Sequence, residues 1–187
     1  MKMNDKAQFE KQNIFGTGTP NDAYAQYFVG HSFLNPLTDP MGGVFLANVT
    51  FEPGCRNNWH IHHAAKGGGQ ILICTAGEGW YQEEGKPAVS LVPGSVITIP
   101  PEVKHWHGAK ADSWFSHIAI EVPGEGCSNE WLEPVTEVQY ARLYLLFAVS
   151  LVARHLVGFL TVQWQKMRGR DHKKKAAGIF PSPCFSN

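Results

Sequence analysis

Short apolar runs separated by turn residues make up most of the chain between residues 43 and 122. Many residues in these runs are β-branched or aromatic, and pairs such as Pro53-Gly54 and Pro93-Gly94 separate one run from the next. The pattern predicts eight strands, at residues 43–52, 58–63, 70–76, 79–83, 88–92, 95–99, 105–109 and 114–122. Short strands at this spacing indicate an all-β fold, either an antiparallel sandwich or a jelly-roll barrel.

The residues before and after these strands differ from them in character. Residues 1–35 are mostly polar and are expected to form an N-terminal arm, whereas residues 36–140 hold the barrel. Residues 141–187 form a C-terminal extension, which is apolar from Leu143 to Trp164 and basic from Lys166 onwards. We expect the extension to be helical, and the barrel pattern does not account for it.

The sequence of this extension is compatible with four alternative structures. We favour a helix that packs on the barrel or on a partner subunit over an amphipathic helix on a membrane surface. A membrane-spanning helix is disfavoured because Arg154 and His155 lie near the middle of the apolar stretch, where one arginine costs about 3 kcal/mol. The fourth alternative is a segment without selected structure, such as an altered reading frame would append.

Composition and charge narrow the class of protein. A chain of 187 residues suffices for one good core, and its 19 glycines and 12 prolines suit many tight turns. The net charge is zero, but residues 1–142 carry 9 Lys and Arg against 15 Asp and Glu, so we expect no nucleic-acid partner. The 4 cysteines lack disulfide spacing and no apolar signal core follows the N-terminus, which predicts a cytoplasmic protein.

Histidines and one amide recur at the predicted strands. His60 and His62 are two residues apart, so they face the same side of a strand. Gln70 opens the next strand, and His105 begins a later one. Neutral imidazole is the commonest protein ligand for divalent transition metals, and an amide oxygen can complete such a set. The spacing therefore predicts a metal site inside a barrel.

The alternative is that these histidines are core or surface residues without a metal. A single His-x-His would leave the two interpretations about equal, but a third histidine, with glycines and prolines at strand–turn intervals, favours the metal. A structural zinc site would more typically use cysteines, and the sequence contains no Cys-x-x-Cys. Four protein ligands on a metal that accepts six leave two positions for water or substrate, which favours catalysis.

These segments resemble the two motifs of the cupin family. The first motif is matched by Gly54, His60, His62, Gln70 and Gly77. The second is matched by Gly94, Pro100 and His105. The chain departs from the family at Gln70, where a glutamate is usual, and its spacer after His62 is seven residues long rather than three or four. Glu102 and Ala109 stand where the second motif has glycine and asparagine.

A narrower resemblance covers about residues 30 to 140. The stretch from Lys104 to Ala109, with His117, Trp131 and residues 134–140, is similar to small single-domain cupins. These include the manganese-dependent bacterial hydroxynitrile lyases and cupins that accompany carboxymuconolactone decarboxylase-like proteins. The resemblance implies that the metal ligands are His60, His62, Gln70 and His105, and that the acid-base residues are His107 and His117. It also implies a divalent transition metal, manganese before iron, zinc, cobalt or nickel, and a homodimer or higher homo-oligomer.

We therefore expect a metal-dependent enzyme that acts on a small organic molecule. With neutral ligands, the ion would keep most of its positive charge and act as a Lewis acid, while His107 and His117 move the proton. Cleavage of a cyanohydrin-like alcohol, or a decarboxylase-associated reaction, would suit such a site. The alternatives are an iron-dependent cupin dioxygenase and a small-molecule-binding cupin without enzymatic activity.

Overall fold

All eight predicted strands are present, with ends shifted by a few residues. The computed structural model of the protein describes residues 4–39 and 42–144. In this part of the chain, the strands are β1 (Thr19–Pro20), β2 (Phe28–Val29), β3 (Ser32–Pro36), β4 (Leu46–Phe51), β5 (Arg56–Asn57), β6 (His60–His63), β7 (Lys66–Gly67), β8 (Gln70–Gly77), β9 (Gly79–Glu83), β10 (Val89–Leu91), β11 (Val96–Ile99), β12 (His105–Ala109), β13 (Phe115–Glu121), β14 (Gly124–Glu125) and β15 (Ser128–Trp131). A helix, α1 (Lys6–Gln12), and a 3-10 helix (Asp22–Tyr27) precede the main strands.

The strands form two main antiparallel sheets. One has the order β1-β3-β4-β13-β8-β11, and the other has the order β10-β9-β12-β5-β2, with β6 paired to β12 and β15. Strands that are distant in sequence are therefore neighbours, as in a jelly roll. This topology confirms the predicted all-β jelly-roll barrel.

Apolar side chains from both sheets meet in one core. Phe51, Leu72 and Phe115 come from the first sheet, and Tyr81 and Leu91 come from the second. All five are at most 3% exposed. Removal of such a side chain, as in Phe51→Ala, would cost about 3–5 kcal/mol in lost burial and cavity formation. The core therefore fixes the two sheets against each other and gives the site a rigid frame.

The N-terminal segment is fixed to the outer face of the first sheet. Phe9 of α1 is fully buried and stacks on Trp114, with ring centroids 5.5 Å apart. The amide of Asn48, on the outer face of β4, donates to Asn13 Oδ1 at 3.0 Å and to the Gly16 carbonyl at 2.7 Å. These buried polar groups satisfy one another, which is the condition for burying them at low cost.

The predicted division at residues 35 and 36 falls within β3, which pairs with β4 from Ser32 to Pro36. The division into arm, barrel and extension stays a prediction. Residues 137–144 are helical, and the Tyr140 and Tyr144 hydroxyls lie 3.2 Å apart. The predictions for residues 145–187, including most of the apolar stretch, lie outside the described residues. Within residues 4–39 and 42–144, no helix has the length and apolar character needed to cross a membrane.

A β-bulge interrupts the pairing of β8 with β13. Ser116 pairs with Ala76, but the next residue, His117, pairs with Cys74, so β8 contains one extra residue, Thr75. Thr75 and Ala76 both lie toward the outer face: the Thr75 hydroxyl donates to Asn48 Oδ1, and Ala76 packs with Phe9. The alternation of inward and outward residues on β8 therefore reverses at this point.

Gly77, the last glycine of the first motif, should tolerate substitution poorly. Its φ is +69°, and a Cβ there would lie 1.8 Å from the Trp114 carbonyl oxygen. Gly77→Ala combines left-handed strain of about 1–2 kcal/mol with a backbone clash, so we expect a loss of about 3 kcal/mol or more in the free energy of unfolding. Urea denaturation would measure this loss.

Gly85 provides a matched control for this substitution. Its φ is +73°, but a Cβ there would meet nothing within 4 Å. Gly85→Ala should therefore cost only about 1 kcal/mol, the strain alone. Equal losses for the two variants would show that the close approach to Trp114 is unimportant.

Candidate metal centre

Three predicted ligands come together at the end of two neighbouring strands. His60 and His62 lie on β6, and His105 lies on β12, where it pairs directly with His60. One ligand atom from each histidine lies within 4.8 Å of the others. All three side chains are at most 4% exposed, whereas Ile61 and His63 of the same strand are only half-buried. The alternation on β6 therefore places both predicted ligands inward, as the sequence indicated.

Backbone hydrogen bonds set which ring nitrogen faces the site. His60 Nδ1 lies 3.0 Å from the Asn58 carbonyl oxygen, and His105 Nδ1 lies 2.8 Å from the Val103 carbonyl oxygen. A carbonyl oxygen only accepts, so each Nδ1 must donate, and each neutral ring keeps its lone pair on Nε2. The Nε2 atoms of His62 and His105 are buried without a protein partner. Buried lone pairs without partners that converge in this way fit a metal ion.

Burial keeps the His60 and His105 imidazoles neutral. It lowers the pKa of His105 to about 4. Burial, together with the neighbouring His105 and His62, also holds the pKa of His60 well below its usual range. Since protons and metal compete for the same lone pair, a lowered pKa leaves these rings free to bind a cation near neutral pH.

Gln70 presents an amide oxygen to the same space. Its Nε2 donates to Glu121 Oε1 at 2.9 Å, which fixes the orientation of the amide because a carboxylate oxygen accepts. Its Oε1 is then buried and has no protein partner. The long spacer before Gln70 does not displace it, because Lys66–Gly67 leaves the barrel as β7 and pairs with β14. Gln70 therefore fits a fourth ligand position.

Glu121 is a site residue that was not identified from the sequence. It pairs across the strands with Gln70, and its Oε2 lies 3.1 Å from His62 Nδ1. This close approach does not meet hydrogen-bond geometry. Burial alone would raise the pKa of the Glu121 carboxyl, but His62 and Gln70 lower it overall. The two-residue step from His117 through Ala119 was the available indication that Glu121 faces inward.

His107 and His117 lie beside the cluster at different depths. His107 lines the cavity that also contains His60 and His62, whereas His117 does not line it. His117 is fully buried behind His107, with its Nε2 3.1 Å from His107 Nδ1. Burial, then the neighbouring His117, holds the pKa of His107 well below its usual range, and burial lowers the pKa of His117 to about 4. Both rings are therefore neutral near pH 7.

Asn57 holds His107 from the opposite side. Its Oδ1 accepts from the His107 backbone N–H at 2.9 Å, so its amide nitrogen faces the His107 ring, 3.0 Å from Nε2. An amide N–H donates, which places the lone pair of neutral His107 on Nε2 and its proton on Nδ1, toward His117. This contact was not predictable from the amino-acid pattern, because Asn57 belongs to a two-residue strand.

A cavity of about 260 Å³ opens in front of the histidines. Its polar lining consists of Asn21, Asn57, His60, His62, Gln70, His107, Glu121 and Asn129. The rest of its wall is mainly apolar, with Val49, Leu34, Phe45, Phe28 and Trp131. The Trp131 indole stacks on the His60 ring, with centroids 4.7 Å apart, and Tyr27 stacks on the same indole at 4.7 Å. The site therefore combines a cluster of histidines that could hold a metal with an aromatic wall.

Comparison with known proteins agrees with the fold. No family model matches the chain. Over 120 residues, it is 41% identical to the (R)-mandelonitrile lyase of Granulicella tundricola, a match that covers 63% of this chain and 88% of the lyase. The crystal structure of a cupin-like protein from Thermotoga maritima is 42% identical, with a TM-score of 0.61, and the match covers 70% of this chain and 96% of that chain. The chain belongs to the cupin family.

Proposed function

We propose that the protein is a metal-dependent lyase that cleaves a small aromatic cyanohydrin into an aldehyde and hydrogen cyanide. The observation that carries the proposal is the cluster of ligand atoms of His60, His62 and His105, all within 4.8 Å of one another. His60, His62 and Gln70, whose Oε1 is buried without a protein partner, line a mainly apolar cavity. The 41% identity to an (R)-mandelonitrile lyase supports this choice of reaction.

The donor set suits a divalent transition metal. Three imidazoles with one amide oxygen are ligands that manganese, iron, zinc, cobalt and nickel all accept. Such an ion supplies a Lewis acid for the substrate oxygen. We propose His60, His62, Gln70 and His105 as its ligands and manganese as the ion. The homo-oligomeric state and the cytoplasmic location stay predictions.

His107 is the proposed proton acceptor. In cyanohydrin cleavage, the hydroxyl loses its proton, the bond to the nitrile carbon breaks, and its electron pair leaves with cyanide, which then takes up a proton. Neutral His107 lines the cavity and can accept the hydroxyl proton at Nε2 if substrate displaces the Asn57 contact. His117, 3.1 Å behind it, stabilises the resulting imidazolium by accepting from Nδ1.

The rest of the cavity fits one aromatic ring. A volume of about 260 Å³ lies at the lower end of small-molecule sites, and Trp131, Phe28 and Phe45 offer ring faces and edges. Water has few polar partners on this wall, so a substrate with an apolar group displaces it favourably. A small molecule with one ring and one oxygen next to the metal end is therefore the expected substrate.

An activity assay tests the proposal directly. Full-length protein, stripped with a chelator and reloaded with Mn²⁺, should release benzaldehyde and cyanide from (R)-mandelonitrile, and the stripped protein should not. The rate should be the same without dioxygen, because the reaction contains no oxidation. Fully metallated protein without turnover would overturn the lyase assignment, and an absolute need for dioxygen would replace it with an oxygenase.

A further inference from the structure

Glu121 contacts two proposed ligands at once. Its Oε1 accepts from Gln70 Nε2 at 2.9 Å, and its Oε2 lies 3.1 Å from His62 Nδ1. The hydrogen bond to Gln70 and the close approach to His62 both involve the atom that is not needed for a metal. His62 Nε2 and Gln70 Oε1 therefore remain available, and both are buried without another partner.

Among the described residues, no lysine or arginine nitrogen lies within 4.0 Å of the Glu121 carboxylate, which lies 3.1 Å from His62 Nδ1. The side chain is about 36% exposed and lines the cavity. A carboxylate beside a cluster of neutral donors lowers the cost of placing a cation there.

We propose that Glu121 is the positioning residue of the metal centre, which fixes His62 and Gln70 and supplies the anionic charge that Gln70 lacks. This inference rests on the proposed metal site. A carboxylate that lies against the far nitrogen of a metal-binding imidazole commonly orients the ring and raises metal affinity. Here one carboxylate supports two ligands, because β13 places Glu121 directly opposite Gln70 on β8.

Metal affinity of the full-length protein tests the inference without reference to turnover. Mn²⁺ would be titrated into metal-free wild-type protein and into Glu121→Gln by calorimetry. We expect Glu121→Gln to bind Mn²⁺ 10- to 100-fold more weakly. The melting temperature of the metal-free variant should stay near that of the metal-free wild-type protein. If Glu121 served only in folding, its replacement would change this melting temperature rather than the metal affinity. Glu125→Gln, at an exposed glutamate whose carboxylate lies 3.7 Å from Lys66 Nζ, is the matched control and should keep wild-type affinity.

A charge exchange sharpens the test. Gln70→Glu alone puts two carboxylates where a 2.9 Å hydrogen bond now lies, so it should bind Mn²⁺ more weakly than the double variant. In Gln70→Glu with Glu121→Gln, the new amide at position 121 can donate to the new carboxylate at position 70. We expect this double variant to recover most of the affinity that Glu121→Gln loses.

The outcomes separate this inference from the proposed function. If Glu121→Gln binds Mn²⁺ as tightly as wild type, or if Gln70→Glu alone binds as tightly as the double variant, Glu121 has no positioning role. If wild-type protein binds Mn²⁺ and the variants behave as expected, but mandelonitrile is not cleaved, only the proposed lyase activity is lost. If wild-type protein binds no Mn²⁺, both proposals are overturned.

Discussion

Replacing His105 by alanine should leave the protein with little bound metal and at most residual lyase activity. In the wild-type protein, His105 Nδ1 donates to the Val103 carbonyl, and Nε2 is buried without a protein partner and is the atom available to a metal. Alanine has no side-chain atom that can bind a metal in its place. Loss of one of three imidazole ligands removes the tightest class of donor in the set. Elemental analysis of the purified variant would measure the metal content. His60→Ala and His62→Ala should behave in the same way.

His63 offers a control on the same strand. It follows His62 directly but lies on the other face, where its ring nitrogens contact Glu102 at 2.6 Å and Glu130 at 2.8 Å. His63→Ala should therefore keep stoichiometric metal.

Gln70→Ala should lose metal only partly, because a neutral amide is the weakest donor of the four. If His105→Ala retains stoichiometric metal, the site is misassigned.

His107→Ala should keep its metal but turn over on the order of 100-fold more slowly, the usual loss for a general base. His107 lines the cavity without belonging to the cluster of His60, His62 and His105. Protonated imidazole cannot accept a proton, so the acidic limb of the wild-type pH–rate profile should change in this variant. Steady-state rates at several pH values, with metal content measured in parallel, test both points.

His117→Ala should have a smaller effect on the rate than His107→Ala. His117 does not line the cavity and contacts His107 through a 3.1 Å link, so it acts on substrate only through that ring. Metal content should again stay unchanged. Wild-type rates and pH dependence in both variants would rule out proton transfer by this pair, whereas a larger loss in His117→Ala would assign the direct role to His117.

The strands and the inward placement of His60 and His62 were predictable because both depend on short-range regularities. Turn residues end each apolar run, and a two-residue step places His60 and His62 on one face. Both features can be predicted without knowledge of which strands are neighbours in the sheets. The predicted strand ends differ from the observed ends by a few residues. They differ because the end of a strand is set by where its pairing with the neighbouring strand stops.

The supporting residues were not predictable, because they depend on contacts between strands far apart in sequence. Glu121 lies 51 residues from Gln70, and Asn57 lies 50 residues from His107. The two-residue alternation along the strands suggested that His107 and His117 would both reach substrate. This alternation predicts which side of a strand a residue faces, but not how far its side chain lies from the cavity. The structure places one ring behind the other. Trp131 stacks on His60 through the pairing of β15 with β6, a strand that the apolar pattern did not indicate.

The bulge at Thr75 makes the chemistry of the barrel depend on a single backbone insertion. If the pairing of Phe115 with Gly77 continued without the extra residue, Ile71 rather than Gln70 would stand opposite Glu121. A hydrocarbon would then occupy the position of the amide oxygen. A length change in β8 would therefore alter which residues face the site, which a substitution does not do. The Lys66–Gly67 excursion, which lies outside the barrel, is by contrast a place where related chains can differ in length and keep the same chemistry.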